Sequence, residues 1–402
     1  MKVKVVRNSI IVPGFCFAGV ACGLKPSGKK DLALIVSDVP ATAVAAFTTN
    51  ALKAAPVLVG QEQIKRGKVQ AVVVNSGNAN ASTAQVGIDL AHKTCALVGH
   101  ILGIPEALVF PSSTGKIGVL PSWEKMRSGI QSACTRLKPR GFWEALSGIM
   151  TTDAFPKAAV RYISIDGKPV TIAGMAKGAG MINPNMATML AYVVTDARIS
   201  HQALQQVIHN CLSESFNAIS VDGDTSTNDT LLIMANGVAK NREVTSQGRE
   251  FRSFQATVSE VLCDLARLMV KDGEGATRVV DIYVRGAKTP ADAEKVARTV
   301  AYSPLVKTAF FGGDPNWGRI ACAVGYAGVP IKEEKLELRI GDIVIGHEGI
   351  STGQENEKRA AVLMQKDEFS VTIDLHLGRG NAHIVTSDLS LGYVRFNSAY
   401  ST

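Results

Sequence analysis

Apolar residues in this chain follow two periods. Short runs rich in Val, Ile, Leu and Ala, at Leu32 to Val36, Val69 to Val74, Leu108 to Phe110 and Ala159 to Ile163, have the length and β-branched content of buried strands. Between them, Val86 to Leu102 and Trp123 to Leu137 repeat apolar positions every three to four residues, the spacing of an amphipathic helix. The pattern continues with helices predicted at His201 to Ser215, Phe251 to Val270 and Ala291 to Val300, and strands at Thr230 to Ala235, Val279 to Val284 and Leu336 to Ile345. Such interleaving predicts an α/β protein with layered sheets and helices outside them. Gly and Pro punctuate turns throughout, and without a repeat or Pro/Ser linker the domain boundaries are poorly marked.

Composition narrows the class. At 402 residues, 46% hydrophobic and 19% charged, the chain reads as an ordinary globular protein of two to three lobes. The formal net charge of +8 raises nucleic acid as a partner, but Lys and Arg are scattered and no aromatic residues interleave with them to stack bases. A basic surface around an anionic substrate is the better reading. No run reaches membrane-spanning length, and the start MKVKVVRNSIIVPGF has too short an apolar stretch for a signal peptide. The seven cysteines are odd in number, form no Cys-x-x-Cys pair and lie mostly in apolar runs, which predicts free thiols in a reducing cytoplasm.

Two motifs fail on context. Gly23 to Lys29 fits G-x-x-x-x-G-K, but Lys30 stands where a phosphate loop needs Ser or Thr, and a strand-like run follows instead of a helix. Gly349 to Gly353 fits the nucleophile elbow G-x-S-x-G around Ser351, with Asp374 and His383 downstream, yet too little chain follows to deliver both partners. No histidine or cysteine spacing suggests a metal.

The most informative stretch is KGAGMINPNMATMLAYVVTDA, Lys177 to Ala197. Gly178, Gly180 and Asn183-Pro184-Asn185 permit rigid turns, and Met189 to Val194 is apolar like a buried strand, so Thr188 stands where turn becomes strand. A lone Thr there ordinarily just begins a strand. A Thr that becomes N-terminal by cleavage, however, gains its own α-amine as a base and becomes a nucleophile.

The segment resembles the signature of the self-cleaving ornithine acetyltransferase (glutamate N-acetyltransferase) family. VVVNSGNANAST (Val72 to Thr83), PSSTGKIG (Pro111 to Gly118), MTTDAFPK (Met150 to Lys157), SVDGDTSTNDT (Ser220 to Thr230), KDGEGATR (Lys271 to Arg278), GGDPNWGR (Gly312 to Arg319) and TSDLSLGYVRFNSAYST (Thr386 to Thr402) extend the likeness over essentially the whole chain. The resemblance implies a layered α-β-β-α-like sandwich with an N-terminal-nucleophile-like active site. It implies self-cleavage between Ala187 and Thr188, giving residues 1–187 as an α chain and 188–402 as a β chain that fold as one unit. It makes Thr188 the acyl-accepting nucleophile, Thr114 and Gly115 the oxyanion donors, and Thr151, Lys177, Thr188, Glu274, Asn397 and Thr402 the substrate contacts. In that reading Lys177 neutralises a carboxylate and Glu274 pairs with the side-chain ammonium of ornithine. Asn397 and Thr402 would require the C-terminal tail to be tied down over the site.

The implied activity passes an acetyl group from N2-acetylornithine to glutamate in arginine biosynthesis, with no cofactor, acetyl-CoA as an open question, and an α2β2 assembly of cut chains. Two rivals are a self-cleaving aminopeptidase or amidase on the same scaffold, and a non-catalytic amino-acid-binding protein that needs no cleavage.

Overall fold

The computed structural model describes residues 9–183 and 189–399. Ala187, Thr188 and Thr402 therefore lie outside the described residues. The first sheet has eight strands. Its order is Val109–Lys116, Lys68–Asn78, Leu32–Phe47, Thr230–Ala235, Leu190–Thr195, Lys168–Lys177 and Lys157–Ile165, with Phe15–Val20 pairing against the first half of Leu32–Phe47. The long strand Leu32–Phe47 slips register against Lys68–Asn78 between Val36 and Ala41, and its second half turns to pair with Thr230–Ala235.

Side-chain parity shows the result. Ala33, Ile35, Val72 and Val74 of one half of the sheet share a core with Met175, Tyr192, Val194, Leu232 and Met234 of the other, so the two halves face each other. The alternate residues Leu34, Ala71 and Val73 point outward onto helices Ala84–Leu102 and Trp123–Thr135 through Cys95, Val98, Met126 and Ile130. On the far side Ile172, Ala191, Val193, Leu231 and Ile233 pack on His201–Leu212 and Arg249–Lys271 through Leu204, Val207, Val258 and Leu265. The layers are α-β-β-α, as the resemblance implied. Ser122 and Ser200 cap two of these helices, accepting the N–H groups of Lys125 and Ala203.

A second sheet of seven strands runs Ile350–Ser351, Ile343–His347, Glu337–Ile340, Glu368–Asp374, Val279–Ala287, Gly380–Ser387 and Ile219–Ser220. Its own core forms against helices Pro290–Tyr302, Pro304–Gly312, Trp317–Gly325 and Gln354–Leu363. The edge strand Ile219–Ser220 comes from the chain of the first unit, and Val279 and Val385 reach back into that unit's core, so the two units share a seam.

Most predicted elements are present with shifted ends. The exception is Leu336 to Ile345, read as one strand, which is a hairpin turning at Gly341 between Glu337–Ile340 and Ile343–His347. Leu108 ends a short 3₁₀ turn, Glu106–Leu108, and the strand starts at Val109. All seven cysteines are free thiols. Among the described residues no helix is long and apolar enough to cross a membrane.

Candidate active site

Two parallel strands, Leu190–Thr195 and Thr230–Ala235, begin side by side with Leu190 opposite Thr230. Just ahead of them the fully buried Asp229 accepts the Met189 N–H at 2.8 Å, while the Thr230 N–H donates to the Met189 carbonyl at 3.0 Å. The residue that directly follows Thr188 is thus fixed on both sides. Burial pushes the Asp229 carboxyl well above the usual carboxylate range, against the N–H of Met189 and the charge of Lys177. The other neighbour of Leu190–Thr195 is Lys168–Lys177, with Lys177 opposite Leu190.

Lys177 is buried, and its Nζ donates to Thr114 Oγ1 at 3.2 Å. Burial lowers the pKa of this ammonium, opposed chiefly by Asp153. Thr114 and Gly115 lie near the end of Val109–Lys116, opposite Ser76 and Gly77. Gly115 has φ of +125°, and a Cβ there would stand 2.4 Å from the Gly77 carbonyl carbon, so only glycine fits. Asn228 Nδ2 bridges the carbonyls of Ala79 at 2.7 Å and Ser113 at 2.8 Å, tying the Ser226 to Asp229 loop to this strand end.

Glu274 enters from the turn after Arg249–Lys271, its N–H donating to the Ala179 carbonyl at 2.8 Å. A Cβ on Gly180 would meet the Glu274 carboxylate at 2.3 Å, so glycine is what lets that turn lie against the acid. The C-terminal helix Leu391–Ala399 closes the remaining side. Ser390 Oγ donates to the Gly275 carbonyl at 2.5 Å, and the Tyr393 hydroxyl donates to Asp222 Oδ2 at 3.3 Å. Helix Leu391–Ala399 is thus attached beside the site, and Thr402 lies outside the described residues.

These elements enclose a cleft of about 220 Å³. Thr114, Gly115, Thr151, Lys177, Glu274 and Asn397 all line it, so every proposed site residue within the described chain meets the others in one place. The elbow motif does not assemble: Ser351 Oγ donates to Glu357 at 2.9 Å, and His383 bonds Asp281 at 2.9 Å.

Several site-building residues had no assigned role in the sequence. Buried Lys157 bonds Asp153 at 2.6 Å and Asp272 at 2.5 Å, and Asp153 also accepts the N–H groups of Thr151 and Gly178, each at 2.8 Å. Burial pushes the Asp153 carboxyl up, but Lys157 and Lys177 outweigh it and hold it well below the usual range. Asp222 accepts the N–H groups of Met181 and Ile182 at 2.7 and 2.8 Å, and burial pushes its carboxyl up to about 6. Asp153 and Lys157 sit in MTTDAFPK and Asp222 in SVDGDTSTNDT, so motif membership was the available signal.

The fold and cleft define a four-layered α/β enzyme with ammonium and carboxylate groups gathered at the ends of central strands. Residues 16–402 match the model of the ArgJ family. Similar proteins include the arginine biosynthesis bifunctional protein ArgJ of Geobacter sulfurreducens, 50% identical over 97% of this chain and 100% of that one. The protein of the same name from Syntrophotalea carbinolica is 46% identical over 97% of this chain and 99% of that one. The crystal structure of arginine biosynthesis bifunctional protein argJ from Bacillus halodurans, 40% identical with a TM-score of 0.50, covers 52% of this chain and 98% of that crystallised chain. The chain belongs to the ArgJ family.

Proposed function

We propose that this protein transfers an acetyl group from N2-acetylornithine to glutamate through an acetyl-enzyme on Thr188, after cutting itself between Ala187 and Thr188. The observation that carries this reading is the meeting of Thr114, Gly115, Lys177 and Glu274 in one cleft, beside a strand whose Met189 is clamped by Asp229. The Thr188 hydroxyl attacks the acetyl carbonyl and its α-amine, with a reference pKa of about 7.7–8.0, takes the proton. Thr114 and Gly115 stabilise the oxyanion. Thr151, Glu274, Asn397 and Thr402 hold the amino acid, with Lys177 beside them in the cleft wall. Ornithine leaves, and the glutamate amine then collects the acetyl group.

One observation supports cleavage and a second the association of the pieces. The crystallised relative matches only about half of this chain while being matched over nearly all of its own length. In the first sheet, Leu190–Thr195 and Thr230–Ala235 sit between Leu32–Phe47 and Lys168–Lys177, so pieces 1–187 and 188–402 would stay interleaved after a cut. We further assign the cut molecule to an α2β2 assembly in the cytoplasm, testable by sedimentation and fractionation. Acetyl-CoA is the candidate second donor, tested by glutamate acetylation with acetyl-CoA alone; no bound cofactor enters the scheme.

The deciding experiment mixes the protein with N2-acetylornithine alone, quenches in acid and weighs the fragment that begins at Thr188. One acetyl mass, lost on adding glutamate, supports the mechanism, and Thr188→Ala should give one uncut, inactive polypeptide. An unmodified fragment with steady acetate release would instead establish the hydrolase reading. An intact chain in active wild-type enzyme would overturn the self-cleavage.

A further inference from the structure

Resting on the acyl-enzyme reading above, we propose that Lys177 is a positioning residue for the oxyanion donor: its ammonium donates to the Thr114 oxygen and so turns the Thr114 proton toward the cleft. A lysine ammonium has three donors and no acceptor, so the 3.2 Å contact has one polarity. The Thr114 oxygen accepts, and its own O–H must point elsewhere. Among the described residues no acceptor takes that proton, and Thr114 lines the cleft. The hydroxyl is therefore prepared to donate to a carbonyl oxygen that becomes negative, alongside the Gly115 N–H.

The same surroundings argue against Lys177 serving chiefly as the counter-charge for a substrate carboxylate. Its ammonium already feels the carboxylates of Asp153, Glu274 and Asp229, with Lys157 opposing them. Lys25, another cation in its field, donates to the carbonyls of Lys30 and Met150. The Lys177 backbone leads at once into Gly178, whose N–H is held by Asp153 at 2.8 Å. Lys177 is thus a fixed group on a fixed strand, suited to holding a hydroxyl rotor still. In this role it acts in its charged form, and no proton passes through it.

The test compares two donors: N2-acetylornithine and N-acetyl-1,4-diaminobutane, which keeps the amide and distal ammonium but lacks the α-carboxylate. Acylation is followed in single turnovers by the mass of the fragment starting at Thr188, counting only cut protein. Lys177→Met should slow acylation by roughly tenfold to a hundredfold with both donors, with KM nearly unchanged, since a misdirected donor is lost mainly in the transition state. Lys177→Gln, whose amide can still donate, should recover most of the rate. Combining Lys177→Met with Thr114→Val should be no slower than Thr114→Val alone.

A loss confined to the carboxylate-bearing donor, a Gln variant as slow as Met, or multiplying losses in the double variant would each overturn the proposal. Should Lys177→Met fail to mature, the Gln variant on the two donors decides by the same criteria. Wild-type enzyme that never acquires an acetyl group sinks the acyl-enzyme reading itself, an outcome separate from any behaviour of the Lys177 variants.

Discussion

On one side of the cleft Thr114, Gly115 and Lys177 end strands of a closed α-β-β-α core, backed by Lys157 between two carboxylates with no solvent exposure of its side chain. On the other, Tyr393 and Asn397 ride a nine-residue helix with no buried residue, on which Leu391 and Val394 are 74% and 60% exposed. In the proposed mechanism the first wall holds donors where charge develops and spares the reaction the cost of arranging them. The second is attached by a few hydrogen bonds, and such elements open at low free energy. An enzyme that releases ornithine and admits glutamate through one cleft needs both, a wall that stays and a wall that yields.

The largest effect should come from breaking the fixed wall at its base. Lys157→Met leaves Asp153 and Asp272 buried without their cation, and removing one partner of such a group costs about 3–5 kcal/mol. Thermal unfolding should show a fall of many degrees, whereas Lys157→Arg should lose less. The pH dependence has a defined sign. Asp153 is held below its unfolded value of about 3.9, so its contribution is present above that pH and lost as the pH falls further. Wild type should soften on acidification below about pH 4 and the Met variant much less; parallel curves would remove the network from the account.

Next in size is Thr114→Ala. Loss of one oxyanion donor should lower kcat by about a hundredfold with little change in KM. A rise in KM with kcat intact would make Thr114 a binding group and move it to the other side of the comparison.

Between the walls stands Glu274, packed against Gly180. Ornithine has a side-chain ammonium that glutamate lacks. Glu274→Gln should therefore weaken handling of N2-acetylornithine by about tenfold, as for loss of a charged hydrogen-bond partner, and that of glutamate less. Equal losses, measured in separate half-reactions, would end its selective role.

How much of this could be read from the chain follows from the distance each interaction spans. The runs at Val69 to Val74 and Thr230 to Ala235 announce strands because β-branched residues in short apolar stretches pack on a pleated surface whatever their neighbours. The helix Phe142–Ile149 gave no sign: at eight residues, five of them buried, it is shorter than the window over which helical period is legible. The hairpin at Gly341 hid because its strands, of four and five residues, are each too short for their period to reveal a reversal. In the site, Thr114 and Gly115 were visible only through motif resemblance, since Ser-Thr-Gly alone is an ordinary turn. The Lys157 to Asp272 pair joins residues 115 apart, and nothing local marks two charged residues as partners across that span.

The smallest effect tests the yielding wall itself. Tyr393→Phe removes the hydroxyl that donates to Asp222 at 3.3 Å while keeping the ring, so the change is confined to one attachment of the tail. A hydrogen bond to a charged acceptor is worth about 1.5 kcal/mol at most in a half-exposed position, which bounds the rise in KM at roughly tenfold and makes about threefold the expected value. Turnover should hold or rise slightly, because a looser helix releases product sooner. Asp222 supplies a further handle, since burial raises its carboxyl to about 6, well above its unfolded value. Above that pH it is ionised and a strong acceptor for the Tyr393 O–H; below it the proton it carries weakens the attachment in wild type as well. The difference between Tyr393→Phe and wild type should therefore be full at pH 8 and shrink as the pH falls below about 6, both in KM and in amide exchange of Leu391–Ala399. A difference that is absent at every pH would mean that the tail is held by its contacts with Gly275 without this hydroxyl, and a constant one that the hydroxyl acts independently of the charge on Asp222.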